Sequence, residues 1–185
     1  MRILGISGSL RRESHNRRLL LEAAELLPAS VELELFDALK AVPPYDEDDD
    51  VAEAPEAVVA LREAIAGADA VLFATPEYNG SVPGQLKNAI DWASRPRGSA
   101  SLLGKPVAVL GASTSGFGGV WGQAELRKVL GMAGARVVQT EVAVPRAHER
   151  LEEHGRLMHD EHQEVLERVL EALLAEVRPP VAVAA

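Results

Sequence analysis

Short runs of apolar and β-branched residues alternate along this chain with longer stretches of helical period. Residues 3–6 are the first such run and predict a strand. Residues 16–27 follow with Leu19, Leu20, Ala23, Leu26 and Leu27 on one stripe, the spacing of an amphipathic helix. Pro28 ends it. Residues 31–36 alternate apolar and polar, which suits a strand near a sheet edge. Residues 43–50 read as a loop. Pro55 opens a second helix at its first turn, carrying Val58, Val59, Leu61 and Ile65 to a stop at Gly67. Residues 70–75 and 106–111 lack polar alternation and predict strands buried on both faces. Helices are expected over 85–93, 123–133 and 157–177, and a last strand over 136–144.

Strands alternating with helices, with apolar central strands, predict a parallel sheet covered on both faces. Five strands and five helices make a small doubly wound α/β domain. We read residues 1–178 as a single domain and 179–185 as a frayed tail. Ligands in such folds bind beyond the carboxyl ends of the strands. The loops after the first, third and fourth strands are therefore the places to look.

Composition narrows the function. The chain has 185 residues, 19 basic against 28 acidic, a net charge of −9, and no cysteine. Disulfides, thiolate catalysis, iron–sulfur clusters and cysteine zinc sites are excluded. The charge opposes a nucleic-acid surface or docking on anionic lipid. No apolar run approaches the ~20 residues of a membrane span, and the first residues are too short a run for a signal peptide. A cytoplasmic protein is expected.

The first loop is Gly8-Ser9-Leu10-Arg11-Arg12-Glu13-Ser14-His15-Asn16. It lies between a strand and a helix start, where unpartnered backbone N–H groups favour an anion. Ser9, Ser14 and Asn16 add side-chain donors, and Arg11 adds a charged planar fork. The dinucleotide and P-loop glycine patterns are absent. A compact hydroxyl-rich loop suits a terminal monophosphate. A plain helix-capping role for Ser14 or Asn16 reads equally from the same residues.

The second loop and its helix, Thr75-Pro76-Glu77-Tyr78-Asn79-Gly80-Ser81-Val82-Pro83-Gly84-Gln85-Leu86-Lys87-Asn88-Ala89-Ile90-Asp91-Trp92, resemble the signature of the NADPH-dependent FMN reductase family. The Gly-Ser-Leu-Arg-x-x-Ser-x-Asn pattern at residues 8–16 resembles that family's phosphate loop. The resemblance runs from Ile3 to about Val144 and implies a flavodoxin-like fold: a doubly wound five-stranded parallel sheet with helices on both faces. By this resemblance Ser9, Arg11, Ser14 and Asn16 meet the phosphate of bound FMN, and Pro76, Glu77, Tyr78, Asn79 and Gly80 meet its ring, much of it through backbone. Ser113 and Gly116 belong to the third cofactor segment, where Thr114-Ser115-Gly116 replaces the family's more usual Ser-Pro-Gly. Phe117 is a candidate for ring-edge or substrate contact, and core packing reads equally.

The resemblance implies an oxidoreductase with NADPH or NADH as co-substrate. Its acceptor would be a quinone, azo compound, chromate or free flavin, reduced in a ping-pong cycle. No side chain needs to act as acid or base, so no catalytic residue is named. A homodimer, with a homotetramer as the larger possibility, is implied too, with the helix bearing Leu86, Ile90 and Trp92 at the interface or in the core. The alternative function is a flavodoxin-like electron carrier without its own nicotinamide site. Arg95 and Arg97 could meet the extra phosphate of NADPH, although a solvated pair is the plainer reading. His148, His154, His159 and His162 sit in a polar segment without a fixed third ligand, so no metal site is expected. Asp46 to Asp50 lack the EF-hand spacing and read as a solvated loop, and no nucleophile elbow is present.

Overall fold

The computed structural model describes residues 1–51, 54–152, 156–158 and 160–177. The strands are β1 (Arg2–Ser7), β2 (Glu32–Leu35), β3 (Ala70–Thr75), β4 (Pro106–Ala112), β5 (Arg136–Val137) and β6 (Val142–Val144). The helices are α1 (His15–Leu26), α2 (Glu56–Gly67), α3 (Gly84–Ala93), α4 (Val120–Met132), the single turn α5 (Ala147–Arg150) and α6 (Asp160–Val177). All strand pairs are parallel, in the order β2-β1-β3-β4-β5, with β6 also beside β4. This is the flavodoxin-like order. The central strands β3 and β4 are buried along their whole length, whereas β2 alternates exposed and half-buried residues, as expected of an edge.

The two faces of the sheet are covered by different helices. Leu19, Leu20 and Ala23 of α1 pack with Leu166, Val169 and Leu173 of α6 on one face. Val58, Leu61 and Ile65 of α2, Leu86 and Ile90 of α3, and Leu126 and Leu130 of α4 fill the other. Trp92, whose place was open between core and interface, is fully buried in that second layer and donates through Nε1 to Pro43 O at 2.9 Å.

The expected last strand is divided. β5 pairs with β4 at an offset of 30 positions (Pro106 with Arg136), and β6 at an offset of 32 (Leu110 with Val142). Two extra residues therefore bulge from the edge strand between them. An even insertion keeps side-chain parity, so Val138, Val142 and Val144 all face the same core. Glu141 in the bulge pairs with Arg127 of α4. Helix α6 begins later than expected, and Leu157, ahead of it, is buried and bridges Leu151. Residues 178–185, including the expected tail, lie outside the described residues.

Candidate functional site

The strands β1, β3 and β4 are neighbours, so the loops leaving their carboxyl ends meet. They enclose a hollow of about 150 Å³ lined by Ser9, Arg11, Ser14, His15, Asn16, Pro76, Glu77, Tyr78, Ala112, Ser113 and Thr114. Eight of the eleven residues read from the sequence as cofactor contacts are in that lining; Asn79, Gly80 and Gly116 are not.

The first loop is held by its own polar side chains. Ser14 caps α1, its Oγ accepting from Arg17 N at 3.2 Å, and Ser7 Oγ lies 3.5 Å away. Asn16 is buried and pairs with the end of β4 in both directions: Nδ2 donates to Ala112 O and Ala112 N donates to Oδ1, each at 2.9 Å. The capping reading of Ser14 is therefore realised, and the Asn16 amide joins the first loop to the third. Ser9 Oγ accepts only a long bond from Arg11 N, at 3.4 Å, and Arg11 is exposed. These two side chains, with the first N–H groups of α1, form the donor set open to an anion.

The second loop is a tight hairpin. Tyr78 and Ser81 exchange backbone hydrogen bonds at 3.0 and 3.1 Å, and Asn79 and Gly80 between them have φ of 54° and 75°. Asn-Gly with two positive φ angles is the favoured two-residue hairpin turn. It holds Tyr78 out, half exposed, at the rim. The Glu77 carboxylate turns away from ligand duty: Oε2 accepts from Trp121 N at 2.9 Å and Gly122 N at 3.0 Å, capping α4 where Gly119 offers no side chain.

The third loop is tied to β6 and α5. Ser113 N donates to Val144 O, Arg146 N to Ser115 O and Ala147 N to Ser113 O, at 2.9 to 3.1 Å. Gly118, with φ of 64°, passes so close to Ala143 and Val144 that a Cβ would lie 2.8 Å from their backbone. Gln123 beneath it is fully buried, donates to Gly118 O at 3.4 Å and leaves Oε1 unpartnered. Phe117 is exposed rather than core, its ring 4.9 Å from that of exposed Trp121.

Sequence reasoning missed His15, Thr114 and Gln123. His15 stood inside the Ser-x-Asn pattern at its variable place; Gln123 had no signal, because its role follows from the space that Gly111 leaves in β4. In His15 burial is the main cause holding the imidazole pKa below its usual range, followed by the charges of Arg18, Arg11 and His148.

Arg95 and Arg97 are carried away from this hollow. They follow α3, which starts at the loop end of the sheet and runs back along it for about 15 Å. Arg95 donates to Tyr45 Oη at 3.3 Å, and neither arginine is in the lining of this hollow. In the acidic segment Asp46 caps a turn and Asp50 pairs with Arg62 at 2.7 Å. Among the described residues no group of three His, Asp or Glu could hold a metal; His154 and His159 lie outside them.

The donor set fits FMN. The open charge is cationic at the first loop, the one carboxylate in the lining is engaged by two backbone N–H groups, and the second loop presents rigid backbone with an aromatic ring. A second hollow of about 390 Å³ shares Arg11 and Tyr78 with the first, which extends the space toward that of a whole cofactor, roughly 300–1,000 Å³.

Residues 1–149 match the NADPH-dependent FMN reductase family. The chain is 44% identical over 179 residues to an NAD(P)H-dependent FMN reductase of Pseudomonas aeruginosa, covering 96% of each chain. It is 35% identical over 179 residues to a 2-hydroxy-1,4-benzoquinone reductase of Burkholderia, covering 96% of this chain and 97% of that one. Among solved structures it is similar to a flavoenzyme NAD(P)H:(acceptor) oxidoreductase of Paracoccus denitrificans, at a TM-score of 0.83 and 34% identity, covering 95% of this chain and 96% of the other. No helix among the described residues is long and apolar enough to cross a membrane.

Proposed function

Because the chain belongs to the NADPH-dependent FMN reductase family, we propose that it is an FMN-dependent oxidoreductase that draws electrons from NAD(P)H and delivers them to a small acceptor: a quinone, an azo compound, chromate or free flavin. The observation that carries this is the convergence of a cationic, hydroxyl-bearing helix start and a rigid Pro76–Tyr78 wall on one hollow. Bound FMN supplies the hydride chemistry, accepting from the nicotinamide and donating to the acceptor. The protein supplies position and field. Ser9, Arg11 and the first turn of α1, held by Ser14 and Asn16, take the phosphate. Pro76, Glu77, Tyr78, Asn79 and Gly80 offer backbone and one aromatic face to the ring, and Ser113 and Gly116 close the third side. No side chain is assigned an acid or base role. The electron-carrier alternative is set aside, because the match over residues 1–149 is to a reductase family.

Residues 1–178 act as one unit in this reading, and a cytoplasmic setting goes with it. A homodimer, or a tetramer built from it, belongs here too. In support, α3 and α4 bound a groove of about 500 Å³ whose apolar Ile90, Leu103 and Met132 are bordered by Lys87, Asp91 and Arg97. Both charge signs on one face suit a self-complementary contact.

An anaerobic visible spectrum of the FMN-loaded protein tests the activity. One equivalent of NADPH is expected to bleach the bound flavin band. A flavin that binds and stays oxidised with both NADPH and NADH would mean a carrier, and a protein that takes up no FMN would end the reading.

A further inference from the structure

We propose that His15 is a proton-coupled anchor for the cofactor phosphate: neutral in the free protein, it takes up a proton as the phosphate enters the hollow. This rests on the FMN reading above. His15 is the first residue of α1 and lines the hollow beside Ser9 and Arg11. Its Nδ1 is buried with no partner, which leaves Nε2 as the nitrogen able to meet a ligand.

Burial is the main cause that favours the neutral state, and the charges around the ring add to it. Arg11 and Arg18 on its own loop and helix, and His148 of α5, all face it with positive or potentially positive charge. The nearby carboxylates are engaged elsewhere: Glu13 accepts from Arg18 at 2.6 Å and Glu149 lies 3.3 Å from His148 Nε2. Among the described residues no carboxylate pairs with His15. A phosphate monoester brings a charge of about −1.5 to −2 at pH 7 and reverses the field at the ring. The phosphate charge then favours the imidazolium, by more than the cost of a buried Nδ1–H left without a partner. Linkage requires that FMN binding consume protons near neutrality and weaken, relative to a variant without the imidazole, as pH rises.

The test is calorimetric titration of FMN into the cofactor-free protein at pH 7, in two non-phosphate buffers of different ionisation heat. Wild-type protein is expected to take up more protons than His15→Asn, by a fraction of a proton, and His148→Asn about as much as wild type. The ratio of the His15→Asn Kd to the wild-type Kd should fall from roughly tenfold at pH 6 to twofold or less at pH 8. The titration of the free FMN phosphate cancels in that ratio. A ratio that stays constant with pH would assign His15 a merely structural role and overturn the proposal. NMR titration of the wild-type His15 ring needs no variant: its midpoint should move up with FMN and stay in place with riboflavin, which lacks the phosphate. An unmoved midpoint with FMN bound rejects the proposal while leaving the oxidoreductase reading intact, and failure of FMN to bind at all rejects both.

Discussion

Glu22 shows what burial does to a single charge in this fold. It lies on the core side of α1, 7% exposed, where no periodicity of apolar residues would place a carboxylate. Burial raises its pKa; the backbone N–H of Leu157 and the charge of Arg156 offset part of the rise. A carboxyl with a raised folded-state pKa contributes stability below the unfolded value and loses it as pH rises through the folded value. Ionised Glu22 is therefore a liability at neutral pH. Glu22→Gln, which keeps an acceptor for Leu157, is expected to stabilise the protein at pH 7. That gain should vanish near pH 4. Thermal unfolding at both pH values decides it, and a variant less stable than wild type at pH 7 would show that the charge is well paired. Asn16 shows another case: a residue that lines the hollow is also a buried brace to Ala112, a partner 96 positions away that no local pattern reveals.

At the scale of elements, the signature helix α3 does more than frame a cofactor loop. Gln85 donates to Leu39 O and Val42 O, Asn88 donates to Pro43 O and accepts from Tyr45 N, and Trp92 donates to Pro43 O. One stripe of α3 thus straps down the segment before α2, so part of a motif associated with flavin binding serves the fold. The third loop carries the sharpest backbone constraint. Gly118→Ala would place a Cβ against backbone at a positive φ, whereas Gly116 has nothing within 4 Å of its added Cβ. We expect Gly118→Ala to cost about 1–3 kcal/mol and to weaken FMN binding. Gly116→Ala should change stability by less than about 0.5 kcal/mol. Urea midpoints of the two variants test this, and equal midpoints would mean that the loop can yield. The stops of α1 and α2 were legible because Pro28 and Gly67 act locally, whereas the cap of α1 stayed open between Ser14 and Asn16. The division of the last strand was not, since a two-residue bulge preserves the alternation that a sequence displays.

For the whole molecule the open surface of α3 and α4 is the decisive feature. Met132 is 85% exposed and Leu103 53% exposed beside a charged rim. If this face joins two copies, Met132→Glu should shift sedimentation from dimer toward monomer while leaving the thermal unfolding of the isolated protomer nearly unchanged. A wild-type protein that sediments as a monomer would dismiss the dimer. The parallel α/β architecture, its two covered faces and the three loops that line the hollow followed from the sequence, because apolar runs, helical periods and turn residues act over a few neighbours and repeat along the chain. The duties of individual polar residues waited for the tertiary structure. Glu77 capping α4, Gln123 filling the space at Gly111, Arg95 held on Tyr45 and the orphaned nitrogen of His15 all depend on which residues meet across the sheet and its loops. A hydrogen bond is settled by distances of about 3 Å between atoms far apart in the chain, and hydrophobic pattern carries no information at that range.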